Sequence, residues 1–194
     1  AILQAEEEAP FFANIVSGVV KLSKVLSDGR QQIVGLQFAP DFLGRAYRKR
    51  SPFFAEAATD VELCIFPKAG FERLLVEQPG IENRLFQNTL DELDAARDWM
   101  LLLGRKTAAE KVASFVAIIA RRNPPTACAH MPALDAPTLA LPLTRAEIAD
   151  YLGLTIETVS RQLGKLRSDG VIEIGANRMI VVRDSAELEI RAQL

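Results

Sequence analysis

The sequence predicts an α+β protein: an N-terminal antiparallel β-roll of the cupin-like jelly-roll kind, a long helix, and a C-terminal winged helix-turn-helix. Three observations carry this reading. As far as about Glu77 the apolar runs are short, rich in β-formers and separated by turn signals. After Pro79-Gly80 the pattern becomes helical for about 24 residues, or about 36 Å at 1.5 Å per residue. From Leu143 onward the chain has the spacing of two short helices around a glycine turn, followed by a hairpin. The expected divisions are 1–79 for the roll, 80–104 for the long helix, 105–142 for a helix and connection, and 143–194 for the last domain.

Within the roll, Phe11–Val16, Val19–Leu22 and Ile33–Phe38 are the first expected strands. Gly18 separates the first two, and Ser27-Asp28-Gly29 is a hairpin signal because Asp-Gly readily takes positive φ. Pro40-Asp41 precedes Gly44 at the next break, and Val61–Phe66 is the last strand, ended by Pro67. On the long helix Leu93, Ala96, Met100 and Leu103 recur at intervals of three, four and three, a heptad seam, while Phe86, Leu90 and Leu101 form a neighbouring stripe interrupted by Arg97. One stripe can pack on the roll and leave the other for a second copy of the chain. The alternative is a helix buried on two sides of one monomer.

Thr107 with Glu110 three residues later has capping-box spacing and starts a helix that runs to Arg122, before Asn123-Pro124-Pro125. The stretch from there to Pro142 reads as a loop or β connection. It holds Cys128 and the only histidine, His130, with Asp135 near by. No spacing there supplies a third metal ligand or an orienting carboxylate. With no glycine-rich phosphate loop and no paired-carboxylate signature either, the sequence does not read as an enzyme.

Composition narrows the partners. Hydrophobic residues make up 49% and charged residues 25%; 23 Lys and Arg oppose 25 Asp and Glu for a net charge of −2. Attraction to nucleic acid must therefore be local. The longest apolar stretch, Val112–Ala120, includes Ser114 and falls far short of the roughly 20 residues of a membrane-spanning helix. Two cysteines make no disulfide framework, which favours a reducing, cytoplasmic location. The chain opens at Ala1 without an initiator Met or signal-peptide pattern, so a preceding segment is expected.

Leu143–Gly170 carries the functional signal. Thr144 and Glu147 cap the first helix, Ala149 is small where the helices cross, Gly153 takes the left-handed turn, and Val159 fills the wedge. Thr155 caps the second helix, with Ile156, Val159, Leu163 and Leu166 on its apolar side and Glu157, Ser160, Arg161 and Lys165 opposite. Val171–Ile174 and Met179–Val182 flank Gly175-Ala176-Asn177 as the wing. From Ser160 to Arg183, Arg161, Lys165, Arg167, Arg178 and Arg183 outnumber Asp169 and Glu173, a positive region fit for phosphates.

Met100–Phe115 and Leu152–Arg161, set in this architecture, resemble the Crp/Fnr family of bacterial transcription regulators, in the Fnr, FnrN and FixK branch rather than the cyclic-AMP receptor branch. The similarity covers essentially the whole chain. It implies a homodimer joined through the long helix and a TTGAT half-site read by Glu157, Ser160 and Arg161, with Thr155, Thr158, Lys165 and Arg178 as further candidate DNA contacts. The chemistry agrees: Arg can donate two hydrogen bonds to guanine O6 and N7, Glu can accept from cytosine N4, and Ser can reach a base edge or a phosphate.

The resemblance also bears on the signal. Cyclic-nucleotide sites of this family resemble Gly-Glu-x-x-Leu followed by Arg-Ser. Here Asp41–Gly44 lacks the ribose-binding Glu, although Arg50-Ser51 stands, so cyclic AMP is not expected. Cys64 lies where Fnr-type oxygen sensors place a [4Fe–4S] ligand, the other three of which lie upstream in those proteins. On the residues alone a single cysteine on a strand is more often a small buried hydrophobe. Cluster-based oxygen sensing is the leading expectation, a FixK-like regulator without cofactor the second, and a β-roll enzyme with an accessory winged helix a remote third. The basic run Arg45, Arg48, Lys49 and Arg50, in a roll loop, is the expected contact to RNA polymerase.

Overall fold

The computed structural model of the chain describes residues 1–122 and 138–194. Cys128, His130 and Asp135 lie outside the described residues. Two compact units are present, Ala1–Met100 and Leu101–Leu194.

In the first unit, β1 (Phe11–Ser17), β2 (Val19–Val25), β3 (Gln31–Phe38), β4 (Phe42–Leu43), β5 (Phe54–Ala57) and β6 (Glu62–Pro67) form two antiparallel three-stranded sheets, β4-β1-β6 and β3-β2-β5. The sequential strands β1 and β2 belong to different sheets, and the chain changes sheet at Gly18. This glycine has φ 87°, and a Cβ there would come within 2.1 Å of the Asp60 carbonyl oxygen. Gly18→Ala should therefore destabilise the roll by about 2–4 kcal/mol. Chemical denaturation measures it, and an unchanged midpoint would contradict the close approach. The hairpin at Ser27-Asp28-Gly29 forms as the sequence predicts. Gly29 has φ 88°, the Asp28 carboxylate accepts from the Arg30 backbone N–H at 3.0 Å, and Leu26 donates to the Arg30 carbonyl at 2.8 Å. Ala13, Ile15, Val20, Leu22, Leu43 and Ala55 fill the space between the sheets.

The sequence reading extended the β-rich region to Glu77; the structure corrects this. After Pro67 comes α1 (Lys68–Glu77). Phe71 and Leu75, four residues apart, place one helical stripe over the outer face of the β4-β1-β6 sheet, where Phe71 stacks on Phe12 with centroids 4.5 Å apart and meets Phe42 and Phe66. Tertiary packing of these aromatics selects the helix.

The long helix α2 spans Pro79–Arg105. Leu102 alone among its residues is buried, which overturns the alternative of a helix buried on two sides within one monomer. Leu85 packs on the cluster around Phe12 and Phe71, and the Gln37 side-chain amide donates to Glu92 at 2.9 Å. Both stripes remain open to solvent over most of their length: Leu93 is 44% and Met100 69% exposed, Ala96, Phe86, Leu90 and Leu101 are exposed, and Leu103 is partly buried.

In the second unit, α3 (Ala108–Arg122) begins with the expected capping box, the Thr107 N–H donating to Glu110 Oε2 at 2.7 Å. Its apolar run forms the core of this unit, with Val112, Phe115, Val116 and Ile119 fully enclosed. Next come β7 (Thr138–Ala140), α4 (Arg145–Leu152), α5 (Ile156–Ser168), β8 (Ile172–Ile174) and β9 (Met179–Val182), the strands forming an antiparallel sheet in the order β7-β9-β8. The C-terminal helix α6 (Ser185–Ala192) has no counterpart in the sequence reading. Asp184 caps it by accepting from the Glu187 N–H at 2.8 Å, and Leu188 and Ala192 are its buried positions. The Lys106 ammonium donates to the Ala192 carbonyl at 2.6 Å, and Arg121 pairs with Glu189 at 2.7 Å.

Candidate nucleic-acid interface

The two helices of the motif are set by their ends. Thr144 and Glu147 form a complete capping box at the start of α4, and Gly153 closes that helix at φ 63°, ψ 44°. Leu154 then donates to the Ala149 carbonyl at 3.0 Å, which fixes the turn. Ala149 is buried, and Val159 is fully enclosed between the helices. Thr155 starts α5, its hydroxyl accepting from the Thr158 N–H at 3.3 Å.

On α5 the buried positions are Val159, Leu163 and Leu166. Ile156, assigned to the apolar side from the sequence, is instead 48% exposed. It occupies the first helical position, before the stripe has closed on α4. Glu157, Ser160, Arg161 and Lys165 are exposed together with Thr155, while Thr158 is partly buried. At spacings of three and four, Glu157, Ser160 and Arg161 share a face.

The Glu157 carboxyl is held below its ordinary value of 4.5, first by its own backbone N–H in the first turn of α5 and then by the Thr155 hydroxyl. That hydroxyl also lies 3.1 Å from Thr158 Oγ1 and can donate to one acceptor at a time. An acceptor for a base amino group is thus ionised at neutral pH, at the positive end of the helix.

The positive surface is narrower than the residue count suggests. Arg183 pairs with Glu173 across β8 and β9 at 2.7 Å, and Asp169 pairs with Arg191 of α6 at 2.5 Å. Arg161, Lys165 and Arg167 make no ion pair with any described residue. The wing turn is displaced by one residue from the expected Gly175-Ala176-Asn177. Asn177 and Arg178 have φ 52° and 63°, and Met179 donates to the Ala176 carbonyl at 3.0 Å, the geometry of a type I′ turn. Arg178 therefore stands at the wing tip. Arg145, in the first turn of α4, was not singled out in the sequence; its Nη1 is buried without a hydrogen-bond partner among the described residues, and burial lowers the guanidinium pKa from its ordinary value. Only the tertiary structure reveals it, because a basic residue at a helix start carries no burial signal.

In the first unit, Cys64 is exposed on β6, opposite Asn14 of β1. This corrects the reading of a small buried hydrophobe. No group of three or more His, Cys, Asp or Glu among the described residues is arranged to hold a metal ion. Arg45, Arg48, Lys49 and Arg50 are exposed in the loop before β5, beside an acidic segment: the backbones of Arg50 and Glu8 pair in an isolated antiparallel β-bridge, and the Ser51 N–H donates to the Glu7 carbonyl at 3.1 Å. Ser51 is itself buried, its hydroxyl donating to the Phe53 carbonyl at 2.6 Å.

Residues 1–78 match the cyclic nucleotide-binding domain family, and residues 110–191 match the Crp-like helix-turn-helix domain family. Over 188 residues the chain is 54% identical to a "Probable transcriptional activator" of Rhizobium leguminosarum bv. viciae, an alignment covering 97% of this chain and 76% of the relative. The chain belongs to the Crp/Fnr family of transcription regulators. The transcriptional activator protein FnrL of Cereibacter sphaeroides is 47% identical, with 96% of this chain and 75% of that protein covered. The structure of FixK2 from Bradyrhizobium japonicum superposes with a TM-score of 0.85 at 35% identity, covering 97% of this chain and 90% of that one. The Crp/Fnr chain is thus a DNA-binding regulator of the Fnr and FixK type and not an enzyme. No helix among its described residues is long and apolar enough to cross a membrane.

Proposed function

We propose that this Crp/Fnr chain is a homodimeric regulator that reads an inverted repeat of the form TTGAT, four variable pairs and ATCAA, with Glu157, Ser160 and Arg161 of each subunit on the base edges. The observation that carries the reading is the exposed face of α5, on which an ionised Glu157 and an Arg161 without an ion-pair partner among the described residues stand one helical turn apart. Arg161 supplies the bidentate donor for guanine and Glu157 the acceptor for cytosine. Lys165, Thr155, Thr158 and Arg178 are assigned to phosphates or neighbouring positions. Dimerisation is assigned to the open seam Leu93, Ala96, Met100 and Leu103 of α2. Fluorescence anisotropy on this operator and on one with both guanines changed tests the function: sequence readout requires tighter binding to the first, and equal affinities would contradict it.

A [4Fe–4S] cluster requires four thiolates. Two cysteines in 194 residues do not complete such a site, and of these Cys64 is the one placed on an accessible strand among the described residues. The donor set of this chain therefore does not fit the cluster by itself, and no step of the regulation is assigned to one. The similarity to both FnrL and FixK2 supports a regulator of the Fnr and FixK type. The basic loop Arg45–Arg50 remains the proposed contact to RNA polymerase, tempered by the acidic segment Glu6–Glu8 beside it.

A further inference from the structure

Only Lys106 and Thr107 separate the end of α2 from the start of α3, and Lys106 reaches across the second unit. Its ammonium donates to the Ala192 carbonyl oxygen at 2.6 Å and to Ser114 Oγ at 2.9 Å. The Ser114 hydroxyl in turn donates to the same carbonyl at 3.1 Å, so groups from the α2–α3 junction, α3 and α6 close a triangle. Each corner has a reason. At the C-terminal end of α6, Gln193 at φ 52° and Leu194 turn back to donate to the Ile190 and Glu189 carbonyls, a Schellman ending that leaves the Ala192 carbonyl to find its partner elsewhere. Ala192 is fully buried, so that partner must come from the protein, and a cation suits the negative end of a helix. Ser114, fully buried in the apolar run of α3, is satisfied by the same two groups. Gly104 stands two residues before Lys106. A Cβ there would meet no group beyond its own helix within 4 Å, so no close approach requires glycine, and its effect is to weaken the last turn of α2. That turn, from Leu101 onward, belongs to the second unit; the buried Leu102 and the Lys106 triangle hold it there.

We propose that Lys106 is a positioning residue for operator spacing. By pinning the pliable last turn of α2 to the end of α6, it holds the end of the dimer helix in one orientation on α3 and α6, and so sets the distance between α5 of one subunit and α5 of its partner. The inference rests on the homodimer and inverted repeat argued above and deepens them. Lys106 has no base-reading part in it and acts through α3, on which α5 packs. Two-fold symmetry places the same joint in both subunits, so any looseness in it counts twice. The duplex offers successive major grooves about 34 Å apart. A loose joint tolerates half-sites at other separations, whereas a pinned one selects four intervening pairs.

The full chain carrying Lys106→Met, which keeps the aliphatic stem and removes the ammonium, tests the latch through two measurements. Affinity is read on duplexes with four, five and six pairs between the TTGAT and ATCAA half-sites, and amide hydrogen exchange is read on the free protein. The preference for four pairs over five or six should fall about tenfold, the worth of one charge-assisted hydrogen bond, with affinity lost mainly on the four-pair duplex. Exchange of the Leu103, Gly104 and Arg105 amides should rise while that of the α4 and α5 amides stays unchanged. Ser114→Ala, which leaves the ammonium on the carbonyl, should shift both readouts the same way by less, and it carries the test if Lys106→Met does not fold. Equal weakening at all three spacings overturns the proposal and makes Lys106 a general contact or a support of the fold. An unchanged spacing preference, or unchanged exchange at the end of α2, overturns it as well. If the unmodified chain binds no inverted repeat or prefers no spacing, the operator reading fails, and the exchange measurement alone decides the latch.

Discussion

Ala96→Asp should turn the proposed homodimer into a monomer. Ala96 sits between Leu93 and Met100 on the open seam of α2, and all three are exposed in the single chain. Two such helices related by a two-fold axis bring equivalent positions together, so one substitution places two carboxylates against each other. Their mutual repulsion adds to the cost of removing both from water, about 3 kcal/mol or more in total, which corresponds to about a hundredfold rise in the dimer dissociation constant. The folded chain should tolerate the change, because Ala96 touches solvent and not the roll core. Sedimentation velocity across a concentration series measures the shift, and an equally tight dimer would place the interface elsewhere. Loss of the dimer should also lower operator affinity, since two half-sites would then be bound independently.

The helix-turn-helix was legible because its demands fall on single residues. Thr144 with Glu147, the left-handed Gly153 and the wedge residue Val159 each satisfy a local steric or hydrogen-bonding need that few other residue types meet. The long helix was legible from its length and seam, whose apolar face stays exposed in the single chain. What escaped the sequence depends on contacts distant in the chain. Helix α1 is selected by Phe71 settling on Phe12, Phe42 and Phe66, while Pro67 reads locally as the end of a strand rather than the residue preceding a helix. Helix α6 is anchored by partners as remote as Lys106 and Arg121. The same holds for charge: counting residues gave Arg183 to the phosphate face, and cross-strand register gives it to Glu173. Arg145 shows the limit most clearly, since the burial of its Nη1, without a partner among the described residues, arises only in the folded domain.

The proposed base-reading role of Arg161 predicts the larger functional effect. In a two-fold dimer the two α5 helices must enter successive major grooves about 34 Å apart, so each subunit contributes one Arg161 and the losses add over the two half-sites. Removing a bidentate guanine contact costs about 1–3 kcal/mol per half-site, or about 2–6 kcal/mol for the operator. Lys165 lies one turn further along α5, without an ion pair among the described residues. As a phosphate contact it should weaken every sequence alike when removed and lower the salt slope by about one contact per subunit. The most direct measurement is the affinity of the unmodified chain, Arg161→Ala and Lys165→Ala for the TTGAT operator and for the same operator with its guanines replaced. Readout through α5 predicts that Arg161→Ala loses its affinity mainly on the guanine-containing site, erasing the preference, while Lys165→Ala keeps the preference at lower affinity. Equal weakening of both sites by Arg161→Ala would make Arg161 a phosphate contact and contradict the assignment of α5 as the sequence-reading face.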